Sequence, residues 1–261
     1  MWEYLTTTFS QFSESSGRSF TAVDGGCGNG WATRKIAKHP CCSSIVGVDA
    51  AALMVDRAIE IRDEWMGSEI GLSLGLKMTF QVGVYNICVY MYIHIYEHTH
   101  THTLSLSLSH THTHTHTHSL THTQVGDIGT WVPSHKVDLV TVCESIYFCH
   151  NPQAALSHMV SKCLKPGGVL ALTVDCYQGN AVSQRWARDL GVPMHCIKEE
   201  EWKHMLEQAG LTHVKLWRSK RNWFPRTHSL RKGTLVLTGC KNTHAREHEA
   251  DVPLRADPGV V

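Results

Sequence analysis

The sequence lacks any imbalance of charge. It has 24 Lys and Arg against 23 Asp and Glu, and its formal net charge is +1. Binding to nucleic-acid phosphates or to an anionic membrane surface needs a clustered positive face. The composition therefore predicts neither a nucleic-acid nor a membrane partner. We interpret the most basic stretch, Arg218 to Arg231, as a solvated edge, with a weak site for an anionic substrate or RNA as the alternative.

Long apolar runs and cysteine motifs are missing as well. No apolar run reaches the ~20 residues that a membrane helix needs, and the N-terminus has no basic segment followed by an apolar one, as a secretory signal would. The chain has 10 cysteines but no Cys-x-x-Cys pair, so their spacing fits neither a zinc site nor a disulfide framework. These absences predict a cytoplasmic protein with no metal site.

Residues 82–124 differ in composition from the rest of the chain. They contain one charged residue, Glu97, and half of the 20 histidines, in runs of Thr-His and Ser-Leu dipeptides. Such low-complexity runs have no amphipathic period from which a core could be built.

Three interpretations of residues 82–124 compete. Alternation along a strand would align the histidines as a metal-binding tract, and a flexible surface loop is the second interpretation. The third, which we favour, is translated non-coding DNA, because a CA dinucleotide repeat read in frame encodes Thr-His. Gln81-Val82-Gly83 recurs as Gln124-Val125-Gly126, so removal of residues 82–124 keeps the reading frame and joins Gln81 to Val125.

With that segment set aside, predicted strands and helices alternate, which is typical of a parallel sheet with crossover helices. The last two predicted strands form an antiparallel pair at one edge. The pattern predicts a Rossmann-like α/β fold with a mostly parallel sheet and helices on both faces. We predict strands over 20–24, 45–48, 78–81, 137–143, 169–174, 212–217 and 234–238, and helices over 30–39, 51–66, 152–164, 181–190 and 199–209. Lys165-Pro166-Gly167-Gly168 is predicted to be a turn between helix and strand.

A glycine-rich loop directly follows the first strand and reads Asp24-x-Gly26-x-Gly28-x-Gly30. Glycines are needed where the backbone turns sharply and a ligand lies against it with no Cβ in the way. The dinucleotide fingerprint is G-x-G-x-x-G, and the residue three after Gly28 is Trp31. The loop therefore disfavours an NAD(P)-dependent oxidoreductase.

The second and third predicted strands each lead to an Asp. Asp49 ends the second strand, where a carboxylate can accept both hydroxyls of a ribose. When Gln81 is joined to Val125, the third strand runs into Asp127. Its side chain is then placed either to accept a hydrogen bond from an adenine amino group or to form an Asx-turn.

Together with the segment that begins at Val137, these motifs make the sequence resemble the small-molecule class I S-adenosylmethionine (SAM)-dependent methyltransferases. The resemblance is to the methyltransferase type 11-like group, which includes enzymes of ubiquinone and menaquinone biosynthesis and trans-aconitate methyltransferases. The matching segments cover most of residues 20–175 apart from 82–124: VDGGCGNG, VGVDAA, VGDI, VDLVTV and LKPGGVLAL.

The resemblance implies that SAM is the cofactor and that a small molecule is the methyl acceptor. It assigns the methionyl part of SAM to the glycine loop, where the cofactor's ammonium group favours an acid such as Asp24. It assigns the ribose to the second-strand acid and the adenine to the third-strand acid. The implied cofactor-binding residues are Asp24, Gly26, Gly28, Gly30, Asp49, Ala50, Asp127 and Ile128.

After the fourth strand, many relatives read A-Q-A-x-H-W, whereas this chain reads Cys143-Glu144-Ser145-Ile146-Tyr147-Phe148. Glu144 stands where Gln is common and Tyr147 where His is common, which makes both candidate catalytic residues. Glu144 would act as a general base or bind a cationic substrate, with an ordinary hydrogen-bonding role as the alternative. Tyr147 would stack or donate a hydrogen bond, with a plain core aromatic as the alternative.

The resemblance also predicts the domain organisation. Residues 20–240 form the methyltransferase domain, interrupted by 82–124. Residues 1–19 are a truncated N-terminal segment, because relatives usually have a longer helical one, and the polar residues 241–261 are a disordered tail. Residues 82–124 separate the third strand from Asp127, the residue assigned to adenine. A non-catalytic or incomplete methyltransferase-like protein is therefore the second alternative, besides the oxidoreductase.

Overall fold

The computed structural model describes residues 19–66, 77–82, 129–181, 183–219 and 233–243. These residues form one seven-stranded sheet whose strand order is β3-β2-β1-β4-β5-β7-β6. The five strands from β3 to β5 run parallel, and β7 pairs antiparallel with both β5 and β6. The predicted Rossmann-like α/β fold, a mostly parallel sheet with an antiparallel C-terminal edge, is confirmed.

The strands are β1 (Phe20–Gly25), β2 (Cys42–Asp49), β3 (Met78–Val82), β4 (Val137–Cys143), β5 (Leu164–Val174), β6 (Leu211–Ser219) and β7 (Thr234–Lys241). The helices are α1 (Trp31–Ala37), α2 (Ala52–Met66), α3 (Pro152–His158), α4 (Trp186–Leu190) and α5 (Glu199–Gln208). Short 3₁₀ turns lie at Ile146–Phe148 and Ser183–Arg185. None of the helices within the described ranges is long and apolar enough to cross a membrane.

Alternate residues of the central strands point into two apolar clusters on opposite faces of the sheet, as the two-residue period of a strand requires. On β4, Val140 and Val142 belong to one cluster and Leu139 to the other. On β5, Leu170 belongs to the first cluster and Ala171 to the second. Because both faces are covered, the central strands are nearly continuous apolar runs.

Most predicted boundaries shift by a few residues, and two larger differences lie between residues 152 and 168. The helix predicted over 152–164 is α-helical only to His158 and ends in a π-helical turn, Met159–Cys163. The predicted turn at 165–168 lies inside β5, where the pairing with β4 slips between Val137 and Leu139 and Gly167 adopts a φ of 76°. This is a bulge, and whether a Pro-Gly-Gly segment makes a turn or a bulge depends on a partner strand that local sequence does not specify.

Two further differences lie at the helix predicted over 181–190 and at the last strand. The helix predicted over 181–190 is a 3₁₀ turn followed by the short helix α4. The last strand extends through Lys241, whose ammonium group donates to the carbonyl of Leu164 at 2.9 Å. The first residue of the predicted tail is therefore part of the sheet. Residues 1–18 and 244–261 lie outside the described residues, as do residues 83–128.

Candidate active site

The predicted site residues meet at the carboxyl edge of the parallel strands. The chain proceeds from β1 to β2 and β3 on one side of the sheet and then continues with β4 on the other side of β1. Ligands of open α/β sheets bind in the crevice at such a reversal of strand order. Pairing of Asp24 with Gly47 on one side and with Thr141 on the other brings the ends of β1, β2 and β4 together there.

Three glycines shape the loop between β1 and α1. Gly26, Gly28 and Gly30 have φ values of 67°, 53° and 76°, in the left-handed region that side chains disfavour. A Cβ at Gly26 would lie 2.2 Å from Ser145 Oγ. The loop after β1 therefore packs directly on the loop after β4, and Gly26 is required for that approach.

Phe80 is a second packing partner of the glycine loop, and no sequence motif indicates this role. Its ring lies so close to Gly30 and Gly47 that a Cβ there would approach it to 2.6 Å and 2.7 Å, respectively. Phe80 thus fixes the spacing between the loop and the end of β2.

Asp24 is buried beneath the glycine loop. Its two carboxylate oxygens accept hydrogen bonds from the hydroxyls of Thr33, at 2.6 Å, and Thr141, at 3.1 Å. Burial raises its pKa from 3.8 to about 6, and the two hydroxyls oppose the rise. In the structure this carboxylate ties β1 to α1 and β4, and it has no exposed surface.

The raised pKa of Asp24 predicts a pH dependence of stability. A group whose pKa is higher in the folded state stabilises the fold fully below its unfolded pKa, here 3.8, and that contribution is lost as pH rises through about 6. The loss amounts to about 3 kcal/mol, at ~1.4 kcal/mol per pKa unit. Asp24→Asn removes the titration, so its unfolding free energy relative to wild type should increase between pH 4 and pH 7. Urea denaturation of both proteins across this range tests the prediction, and a constant difference would contradict it.

Asp49 holds the glycine loop from the end of β2. Its Oδ2 accepts from the Gly28 amide at 2.7 Å, and its Oδ1 accepts from the Ala51 amide at 2.9 Å. Burial raises the pKa of Asp49, and hydrogen bonds from the backbone amides of Ala51, Gly28 and Ala50 oppose the rise. Ala50 is also buried beside it.

Glu144 and Tyr147 lie together beyond the end of β4. Glu144 adopts a φ of 56°, which is strained for a residue with a Cβ. Its Oε2 accepts from the Asp175 amide at 2.7 Å and from the Tyr147 hydroxyl at 3.4 Å. Burial and the neighbouring Asp175 raise the pKa of Glu144 well above its ordinary value. The Tyr147 ring is buried in the core cluster, and burial raises its pKa, so the hydroxyl keeps its proton as a donor.

Asp175, directly after β5, belongs to the same group and was missed by the sequence interpretation. It is fully buried, and burial raises its pKa. A signal for it exists in the sequence, because Val-Asp ends three buried strands, at Asp24, Asp49 and Asp175. Two other predicted site residues, Asp127 and Ile128, lie outside the described residues.

Comparison with known proteins gives a family match over most of the chain. A family model for the methyltransferase domain matches residues 3–216. No curated protein sequence matches the chain.

Solved structures share the fold at low sequence identity. A chain from the complex of the Haloferax volcanii Trm112 methyltransferase activator with a protein described as a methyltransferase is 20% identical, with a TM-score of 0.57 over 86% of this chain and 84% of that chain. The [4+2]-cyclase SpnF is 15% identical, with a TM-score of 0.54 over 86% and 76%. The N-methyltransferase NodS from Bradyrhizobium japonicum WM9, in complex with S-adenosyl-L-homocysteine, is 18% identical, with a TM-score of 0.52 over 92% and 86%.

Proposed function

Because the chain belongs to the methyltransferase domain family and is a SAM-dependent methyltransferase, we propose that it methylates a small molecule bound at the carboxyl edge of β4 and β5. The observation that carries the proposal is the junction of the glycine loop with Asp49 and Ser145 at the reversal of strand order. The near-neutral net charge favours a small acceptor over a nucleic acid. A cytoplasmic location stays a prediction.

The residues present fit SAM. Both carboxylate oxygens of Asp49 accept backbone N–H groups, and a carboxylate has about four lone-pair sites, so we assign the ribose hydroxyls to this side chain. The glycine loop offers backbone without side chains to the methionyl part, and Asp127 with Ile128 is assigned to the adenine. Asp24 is assigned to the end of the site that takes the ammonium group of SAM, where it supports the glycine loop from beneath.

When bound, SAM supplies an activated methyl group whose bond to sulfur breaks with the electron pair remaining on sulfur. The chain's own contribution is mainly alignment of the acceptor, which can lower a barrier by ~7–11 kcal/mol. Glu144 is the proposed general base for an acceptor that carries a proton. Tyr147 would position Glu144 by donating to Oε2.

Isothermal titration calorimetry with SAM and with NADH tests this function. We expect SAM to bind and NADH not to bind. Binding of NADH alone would indicate an oxidoreductase, and binding of neither would indicate a methyltransferase-like protein that has lost its cofactor site.

We also propose that the working enzyme lacks residues 82–124. The described residues on either side of this segment meet, because Trp131 Nε1 donates to Gln81 Oε1 at 3.1 Å. Joining Gln81 to Val125 puts a valine in the place of Val82, which pairs with Asp49. Residues 126–130 then connect β3 to Trp131 by a loop of ordinary length, about 4–6 residues.

We expect mature transcripts to join the codon of Gln81 directly to that of Val125. A variant lacking residues 82–124 should fold with a melting temperature no lower than that of the full chain, since the Gln81–Trp131 contact needs no residue of the segment. Transcript sequencing and peptide mass spectrometry of the native protein measure the first expectation. Recovery of a native peptide spanning His110 to His118 would contradict it and favour the loop or metal-tract interpretation.

A further inference from the structure

We propose that Glu144, Asp175 and Thr234, here called the Glu144–Asp175 cluster, form the acceptor site and take a primary or secondary ammonium group. The inference rests on the proposed function and adds the substrate class, an amine. It also adds two residues, Asp175 and Thr234, to the candidate site.

The cluster contains buried oxygen atoms that lack hydrogen-bond partners. Within the described residues these are Glu144 Oε1, both carboxylate oxygens of Asp175 and Thr234 Oγ1. Asp175 is 0% exposed and Thr234 is 4% exposed. Buried polar atoms are nearly always paired, and an unpaired one costs the free energy of its desolvation. Even when the Thr234 hydroxyl donates to Asp175, the cluster has more buried acceptor oxygens than donors, which indicates a site for a ligand that brings donors.

The strands fix these oxygens relative to one another. Val174 of β5 pairs with Leu235 of β7, which places Thr234 opposite Asp175. Glu144 reaches across from β4, because the Asp175 amide donates to its Oε2 at 2.7 Å. The remaining Oε1 is the unpaired one. Three elements thus hold two carboxylates around one donor, the Thr234 hydroxyl, which can satisfy only one of the carboxylate oxygens.

The chemistry of the cluster selects an ammonium group. Two buried carboxyl groups repel each other when both are ionised, and a cation relieves both the repulsion and the burial of charge. An ammonium group has up to three N–H donors, and the cluster offers acceptor oxygens on three side chains. A neutral alcohol would supply one donor and no charge, and a quaternary ammonium would supply charge without donors. The raised pKa values of Glu144 and Asp175 agree with a pair that lacks its cation.

The position of the cluster suits a methyl acceptor. Ser145, the residue after Glu144, packs on Gly26 of the glycine loop, so the cluster borders the site assigned to SAM. An ammonium nitrogen has no free electron pair until it loses a proton. Transfer of that proton to Glu144 Oε1 breaks an N–H bond and forms an O–H bond, and the electron pair stays on nitrogen as the nucleophile.

Thermal shift measurements with three matched probes test the proposal: n-butylamine hydrochloride, n-butanol and n-butyltrimethylammonium chloride, at equal ionic strength. A ligand that binds only the folded state raises the melting temperature with its concentration. We expect n-butylammonium alone to raise it, and we expect Asp175→Asn and Glu144→Gln to abolish the shift. Asp189→Asn, an exposed acid paired with Arg188, is the control that should keep the shift.

Several outcomes would overturn the amine assignment. Equal shifts with n-butanol would indicate a hydroxyl acceptor, and equal shifts with n-butyltrimethylammonium would indicate recognition of charge alone. Absence of any shift, or a shift retained in both Asp175→Asn and Glu144→Gln, would also overturn it.

The stability of the free protein provides a second measurement. If Asp175 is held unpaired for a ligand, Asp175→Asn should raise the melting temperature of the free protein by a few degrees, because it removes a buried charge. A lowered melting temperature would show that Asp175 is a structural residue and would overturn the proposal. SAM titration of the same samples separates the two hypotheses. If wild type does not bind SAM, the proposed methyltransferase function fails; if wild type binds SAM but the amine tests fail, only the amine site is overturned.

Discussion

An Asp49→Ala variant is expected to bind SAM on the order of 10²–10⁴-fold more weakly than wild type. A hydrogen bond to a charged group contributes ~1.5–3 kcal/mol, and two such bonds to the ribose account for that range at ~1.4 kcal/mol per tenfold. Isothermal titration calorimetry measures the dissociation constants. Asp56→Ala, which removes an exposed acid from the neighbouring helix α2, is the matched control and should leave the affinity unchanged.

Loss of the Asp49 carboxylate also removes the hydrogen bond from the Gly28 amide. The variant could therefore lose SAM affinity because the ribose loses its acceptor or because the glycine loop loses its support. Adenosine and 2′,3′-dideoxyadenosine distinguish these two causes. Wild type should prefer adenosine, and Asp49→Ala should bind both equally. If the variant keeps the preference for adenosine, the carboxylate supports the loop and does not bind the ribose.

A Gly26→Ala variant is expected to lose measurable SAM binding. The added Cβ would lie 2.2 Å from Ser145 Oγ and 2.3 Å from Ser145 Cβ, so the loops after β1 and β4 must separate. Gly191→Ala is a sharp control, because Gly191 has nearly the same φ, 66°, but nothing within 4 Å of the added Cβ. It should lose stability by about 1 kcal/mol through backbone strain and keep its SAM affinity.

The double variant Gly26→Ala with Ser145→Gly isolates the contact between the two loops. Removing the Ser145 side chain removes both close atoms, so much of the lost SAM affinity should return. If the double variant binds no better than Gly26→Ala alone, backbone strain at Gly26 and not the contact with Ser145 determines the loss.

The local signals of the sequence determined the fold because they match its elements closely. β4 was predicted at its observed bounds, since a fully buried parallel strand is a continuous apolar run between polar residues. The glycine loop and Asp49 were also predictable, because each lies within a few residues of the strand that positions it. The helix predicted over 199–209 ends at Gln208, within the ordinary uncertainty of a helix end.

Tertiary structure alone decided which distant side chains share a site. Thr33 and Thr141 both donate to Asp24, and no spacing in the sequence links them. The contact between Ser145 and Gly26 exists because β4 lies beside β1, and the contact between Glu144 and Asp175 exists because β5 lies beside β4. The sequence alone places the acids at the ends of the strands. Which of these acids lie side by side is determined by the strand order, because the strand order depends on packing of the whole sheet.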